Sequence, residues 1–250
     1  MAGPVRTRSL SVTADRERWP LQGEFRISRA VKRVADVVVV TVSDGTHRGM
    51  GECVPYRRYG ETVESVLREL APVRAMSTAE ALDAGYANSL LPAGAARNAL
   101  DCALLDWRAQ HLGQAAWNLL GLEKPGEATT AYTLSIGTPK EMRRMAAANR
   151  HRALLKIKLG GADARRDGER LRAVRDGSPD AELIVDANEG WTPRRLESML
   201  PVAADTGVAM IEQPLPAGQD EALLHLKAPV MIGADESAHT PESLPALRNK

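Results

Sequence analysis

The sequence predicts an α/β protein in two parts, an α+β domain over residues 1–125 and a run of β/α units over 126–250. Three observations carry this. Residues 1–53 read as short β-rich runs closed by turn signals. From Gly121–Glu127 (GLEKPGE) onward, apolar strand-length runs alternate with helical periods. No strand is followed by GxGxxG or a P-loop, since Lys158-Leu159-Gly160-Gly161 matches neither, so a (β/α) barrel is favoured over a nucleotide-binding doubly wound sheet.

Taken in order, Ser9–Thr13, Phe25–Ala30, Asp36–Ser43 and His47–Cys53 read as strands of an antiparallel meander. Asp44-Gly45 supplies its hairpin turn. Pro55, Tyr56, Tyr59 and Gly60 mark a loop. Thr62–Val73 places Val63, Val66, Leu67 and Leu70 at helical spacing, and Ser77–Tyr86 offers a second helix capped by Ser77 with Glu80 three residues on. Pro92–His111 is the strongest helix, with a stripe of Ala95, Ala96, Ala99 and Ala103. The second part predicts strands near 131–136, 153–158, 183–186, 208–212 and 230–234. Helices are expected near 139–149, 163–176, 193–205 and 220–226, with Thr138, Asp163 and Thr192 as N-caps and Gly207 as a stop.

Composition narrows the function. Thirty-three basic against 32 acidic side chains and few aromatics argue against nucleic acid as a partner. The N-terminus lacks an apolar signal core, and Val37–Val42 is too short to span a bilayer, so no membrane partner is expected. Two cysteines outside any CxxC pair suit a reducing cytosol, and a soluble cytoplasmic protein is the expectation.

The chemistry concentrates at strand ends. In Leu154–Gly161 (LLKIKLGG), Lys156 and Lys158 share a strand face. By itself this pair reads as the solvated face of an edge strand. The next strands end in Asp186, Glu212 and Asp235-Glu236, with the acids 26 and 23 residues apart, about one β/α unit each. Any one of these acids reads as a helix cap or a solvated charge; three in phase converge on the mouth of a barrel. Such convergence needs a cation, and oxygen-only ligands select a hard one, Mg²⁺ being usual. A metal on Asp186, Glu212 and Asp235 would stabilise charge developing beside a substrate carboxylate. Lys158, lowered in pKa by Lys156 and the metal, would take the adjacent proton. A Lys or His base with Mg²⁺ on an enediolate is the established pattern of enolase-superfamily sites.

The run Lys-x-Lys, Asp, Glu, Asp resembles the muconate-lactonising branch of the enolase superfamily. Within that branch, GECVPYRRYGET (51–62), LPAGAARNALDCALLDW (91–107), AYTLSIGTP (131–139), LIVDANEGW (183–191), MIEQPLP (210–216) and ADES (234–237) are similar to the dipeptide epimerases. The resemblance implies Mg²⁺-dependent epimerisation of a dipeptide such as L-Ala-D/L-Glu, one Mg²⁺ per subunit, a capping domain over 1–125 and catalysis in 126–250. It implies catalytic Lys158 and Lys156, metal ligands Asp186, Glu212 and Asp235, and substrate contacts from Arg29, Tyr56, Tyr59, Asn188 and Glu236. Arg29 is set against the acidic side chain of a glutamyl residue, with a surface arginine on a strand as the other reading. His239 is given no role. The resemblance allows a homo-oligomer and suggests cell-wall peptide recycling. An N-acylamino acid racemase, an o-succinylbenzoate synthase or a cycloisomerase would share the same four central residues. The family barrel has eight strands with an opposed lysine after the sixth, whereas five are read here before Lys250. The expectations are therefore a C-terminally incomplete epimerase, inactive as this chain alone, or a non-catalytic remnant.

Overall fold

The computed structural model describes residues 10–74, 90–161 and 163–247. The helix expected over Ser77–Tyr86 lies outside them. Two compact units are formed, Met1–Pro20 with Val34–Gly126, and Leu21–Arg33 with Glu127–Lys250. Among the described residues no helix is long and apolar enough to cross a membrane.

The first unit is built on a three-stranded sheet in the order β1 (Ser11–Ile27), β2 (Ala30–Ser43), β3 (Arg48–Cys53), with β2 and β3 antiparallel. Of the runs expected at Ser9–Thr13 and Phe25–Ala30, residues 11–13 and 25–27 belong to one long strand, 28–29 to the turn after it and Ala30 to β2, while Ser9 lies outside the described residues. Asp15–Glu24 is mostly solvent-facing on both sides, so it carries no period-two apolar signal. Pro20 is accommodated because β1 is an edge strand. The turn falls at Ser28-Arg29, and the hairpin tip Leu21–Arg33 belongs to the second unit, where Ile136 N–H donates to Arg26 O at 3.1 Å.

Helix α1 (Val63–Arg74) starts at Thr62, whose Oγ1 accepts from Ser65 N–H at 3.1 Å, and buries Val63, Val66, Leu70 and Val73. Helix α2 (Ala95–Leu112) has its first N–H taken by Glu61 Oε1 at 2.7 Å and ends at Gly113 in the left-handed region. Its Ala96, Ala99 and Ala103 share one core with Val38, Val40 and Val42. The alanine stripe meets glycines on β3. A Cβ on Gly51 would stand 2.1 Å from Ala99 O, and one on Gly49 would stand 2.1 Å from Trp107 N. Backbone therefore meets backbone, and neither side can yield by a rotamer change.

The second unit holds a parallel sheet in the order β4 (Tyr132–Leu134), β5 (Leu154–Lys158), β6 (Glu182–Asp186), β7 (Val208–Glu212), β8 (Met231–Gly233). Spatial order equals chain order with no reversal, which is the winding of a barrel segment. Helices α3 (Pro139–Ala148), α4 (Asp167–Gly177) and α5 (Pro193–Asp205) connect the strands. Thr138 and Glu141 form a capping box, and Thr192 accepts from Arg195 N–H. Asp163 holds the N-cap position of a 3₁₀ turn that leads into α4, but its side chain makes no capping hydrogen bond and its carboxylate instead receives Arg170 at 3.4 Å. The last expected helix shrinks to a 3₁₀ turn, Asp220–Leu223.

One face of the sheet presents Leu155, Ile157, Leu183, Val185 and Ile211 to Met142, Leu171, Val174, Leu196 and Met199 of the helices. By strand alternation the opposite face carries Lys156, Lys158, Ile184, Asp186, Met210 and Glu212.

Gly51→Ala is expected to destabilise the protein by about 3 kcal/mol, the upper range for overpacking. Gly126→Ala, which meets nothing within 4 Å, should stay within about 0.5 kcal/mol of wild type in urea unfolding. Equal stabilities would remove the close β3–α2 approach as a constraint.

Candidate active site

The parallel register aligns Lys158 with Asp186, Asp186 with Glu212, and Glu212 with Gly233, two residues before Asp235. Four successive strands thus bring their charged ends into one row. Lys156 Nζ lies 2.6 and 2.8 Å from the two Glu212 oxygens and 3.0 Å from Asp186 Oδ2. Lys158 Nζ donates to the same Asp186 oxygen and to Asn188 Oδ1 at 3.0 Å. Asp186 is wholly buried, Lys158 nearly so, and Asp235 is exposed. The other Asp186 oxygen accepts from Asn188 N–H at 2.9 Å.

Carboxylates dominate the surroundings of Lys156. Burial works against its charge, yet the hydrogen bond from Lys156 to Glu212 and the nearby Asp186 raise its pKa above the ordinary lysine value. Glu212 also moves up. Burial raises it first, and the charges of Asp186 and Asp235 push the same way against the opposing Lys156 contact.

The loops after the strands continue the ladder. Leu159 N–H donates to Asp186 O, Ala187 N–H to Glu212 O, and Gln213 N–H to Gly233 O. Asn188, Glu189 and Gln213, which follow these strand ends, all have positive φ, at 44°, 64° and 34°. Non-glycine residues there are strained, and such strain concentrates at functional sites. Gly160 (φ 85°) allows the close approach of the β5 and β6 loops, since its Cβ would stand 2.8 Å from Ala187 O. Asp167 ties both loops down by accepting from Gly160 N–H (2.9 Å), Trp191 Nε1 (2.8 Å) and Arg170 (2.9 Å).

Arg29, in the hairpin turn, donates to Glu236 Oε1 at 2.6 Å, Glu189 Oε2 at 3.2 Å and Asn188 O at 2.9 Å. Asn188 Nδ2 adds 3.3 Å to Glu236 Oε1, while Glu236 Oε2 is buried without a hydrogen-bond partner among the described residues. The structure thereby joins Lys156, Lys158, Asp186, Asn188, Glu212, Arg29 and Glu236, with Asp235 perturbing Glu212. Tyr56 and Tyr59 belong to the first unit, their ring centroids 6.4 Å apart in the loop before α1. Sequence reasoning passed over Glu189 and Gln213. Gln213 Oε1 accepts from Asp235 N–H and Ser237 N–H at 2.9 and 3.0 Å and so fixes the loop that carries Asp235. Its place directly after a strand-end acid was the available signal.

Comparison with known proteins decides the ancestry of this arrangement. Residues 9–121 match the N-terminal domain of the mandelate racemase/muconate lactonizing enzymes, and residues 138–249 match the enolase C-terminal domain-like family. The chain is 43% identical over 240 residues to L-Ala-D/L-Glu epimerase of Escherichia coli (strain K12), covering 94% of this chain and 72% of that protein. The chain belongs to the mandelate racemase/muconate lactonizing enzyme family. Its five-strand parallel sheet is accordingly part of an enolase-type barrel. A crystal structure of an enolase family member from Agrobacterium tumefaciens with homology to dipeptide epimerases, bound to sodium and L-Ala-L-Glu, is 44% identical. It has a TM-score of 0.87 and matches 96% of this chain and 72% of that one. A dipeptide epimerase from Methylococcus capsulatus, complexed with Mg and L-Arg-D-Lys, is 31% identical with a TM-score of 0.84, covering 96% and 71%.

The residues of this family member fit a hard divalent ion. Asp186, Glu212 and Asp235 offer oxygen only, and the Lys156 ammonium is lodged between two of them as a cation would be. The Arg29–Glu236 pair is testable by itself. Arg29→Met leaves a buried Glu236 carboxylate with one long contact and should cost about 3 kcal/mol. Glu236→Gln in the same protein should restore more than half of that in denaturant unfolding. Strictly additive losses would show that the two side chains do not depend on each other.

Proposed function

We propose that this chain removes the proton α to a carboxylate in a dipeptide such as L-Ala-D/L-Glu, as part of an epimerisation. The observation that carries the reading is the buried Lys158 ammonium at the end of β5, seated on Asp186 in the same row as Glu212. The nature of the relatives supports the substrate class: one is an L-Ala-D/L-Glu epimerase, and another was crystallised with L-Ala-L-Glu.

In this reading Asp186, Glu212 and Asp235 hold one Mg²⁺ per subunit. When bound, that ion supplies positive charge against the negative charge developing on the substrate carboxylate. Lys158 is the base, and Asn188 Oδ1 fixes its amine. Lys156 stays protonated, as its raised pKa favours, and adds a fixed positive charge. Arg29 takes the acidic side chain of a glutamyl residue, its guanidinium held by Glu236 and Glu189. Asn188 and Glu236 bind polar atoms of the dipeptide, and Tyr56 and Tyr59 contribute to substrate selection. Residues 1–125 thus serve selection and 126–250 the chemistry. A cytoplasmic role in recycling cell-wall peptides belongs to the same proposal, and two free cysteines suit that compartment.

The test is exchange of the α-proton with solvent, followed by NMR in D₂O with Mg²⁺ and either L-Ala-L-Glu or L-Ala-D-Glu. Lys158→Ala should slow exchange in one stereochemical series by about 10²- to 10⁴-fold, the usual contribution of a positioned base. Persistence of exchange in both series would remove Lys158 from that role. Exchange with an N-acylated amino acid but with neither dipeptide would keep the chemistry and change the substrate.

Mg²⁺ should also raise the melting temperature of the wild-type chain and leave Asp186→Asn and Glu212→Gln unmoved. An equal rise in all three proteins would place the ion elsewhere.

A further inference from the structure

Asp44, His47 and His111 meet in the first unit, and none of them belongs to the charged row of the candidate active site. Asp44 opens the β2–β3 turn, His47 closes it, and His111 stands in the last turn of α2. His47 Nδ1 and His111 Nδ1 lie 3.2 and 3.1 Å from the same oxygen, Asp44 Oδ2. One ligand atom from each of the three residues lies within 4.8 Å of the other two. We propose that they form a site for a borderline divalent cation of the Zn²⁺ type, clamping the β2–β3 turn to the end of α2.

The donor chemistry is two imidazoles and one carboxylate, a set that suits Zn²⁺ rather than Mg²⁺. Zinc bonds of 2.0–2.1 Å to tetrahedral ligands set ligand atoms about 3.3 Å apart, and the two N···O separations here are already near that value. The carboxylate is prepared for the role. Its side chain is fully buried, and Thr46 N–H (2.8 Å) and His47 N–H (2.7 Å) hold Oδ1, leaving Oδ2 to face the rings. Burial raises its pKa, but those backbone donors and the two histidines outweigh it and keep Asp44 well below the usual carboxylate range. The His111 ring is stacked on Trp107, 5.1 Å between centroids and 24° between planes, which fixes its direction. Both imidazoles are about one-third exposed, so an ion can enter and a water can complete the shell. Coordination requires each Nδ1 to present its lone pair, with the ring proton on Nε2, and the ion then replaces the two ring contacts to Asp44.

The experiment is equilibrium uptake of Zn²⁺ by the whole chain after chelator treatment, in excess Mg²⁺ to fill oxygen-only sites. Co²⁺ absorption serves as the second readout. Wild type should retain one Zn²⁺ and give the visible bands of tetrahedral Co²⁺. His111→Ala and His47→Ala should each weaken Zn²⁺ binding at least 10-fold and abolish those bands, with circular dichroism confirming that they fold. Asp186→Asn should bind as wild type does. Equal uptake by wild type and the His47→Ala/His111→Ala double variant would overturn the proposal and leave a hydrogen-bonded cluster. So would uptake that follows Asp186 rather than the histidines.

Discussion

The parallel register of β5, β6 and β7 is the constraint on which the second unit depends. Once Lys158, Asp186 and Glu212 are adjacent, strand spacing forces their head groups within a few ångströms of one another. Alternation then sends Leu155, Ile157, Val185 and Ile211 to the helices, so apolar core and charged row are the two faces of the same strands. A one-residue slip would bury the charges against the helices and expose the core. The hydrophobic burial that stabilises the sheet therefore also fixes the chemistry.

The loops carry a matching cost. Asn188, Glu189 and Gln213 adopt conformations that glycine would take more easily. Each is retained where its side chain has work that glycine lacks: Asn188 on Lys158 and Glu236, Glu189 on Arg29, Gln213 on the Asp235 loop. Where no side chain is needed, as at Gly160, glycine stands and the loops close up. Among the described residues, positive φ outside glycine thus falls only on residues that organise the charged row.

Much of this was legible in the sequence because it is periodic. The β/α alternation, the acids one unit apart and the Thr138 and Thr192 caps all appear as spacings. What escaped was not periodic. The middle of β1 is polar on both faces, so a 17-residue strand read as two short ones. Asp163 has the residue type of a cap but not its contact, because Arg170 engages it. The raised pKa of Lys156 was not legible either, because sequence gives the neighbours along a strand but not the acids across it. Glu189 and Gln213 matter through loop geometry, which local propensity does not encode.

The charges of the row fit the proposed oxygen-bound divalent ion. Arg29, Lys156 and Lys158 face Glu189, Asp186, Glu212, Asp235 and Glu236, a surplus of two negative charges among groups that touch or perturb one another. The surplus falls at the Glu212–Asp235 end, where Glu212 is pushed toward protonation although Lys156 sits on it. One divalent cation held by Asp186, Glu212 and Asp235 would balance the count. In the proposed reading, the strand register that aligns Lys158 with Asp186 and Asp186 with Glu212 sets the base beside the residues that would hold the ion, and Asn188 Oδ1 orients its amine.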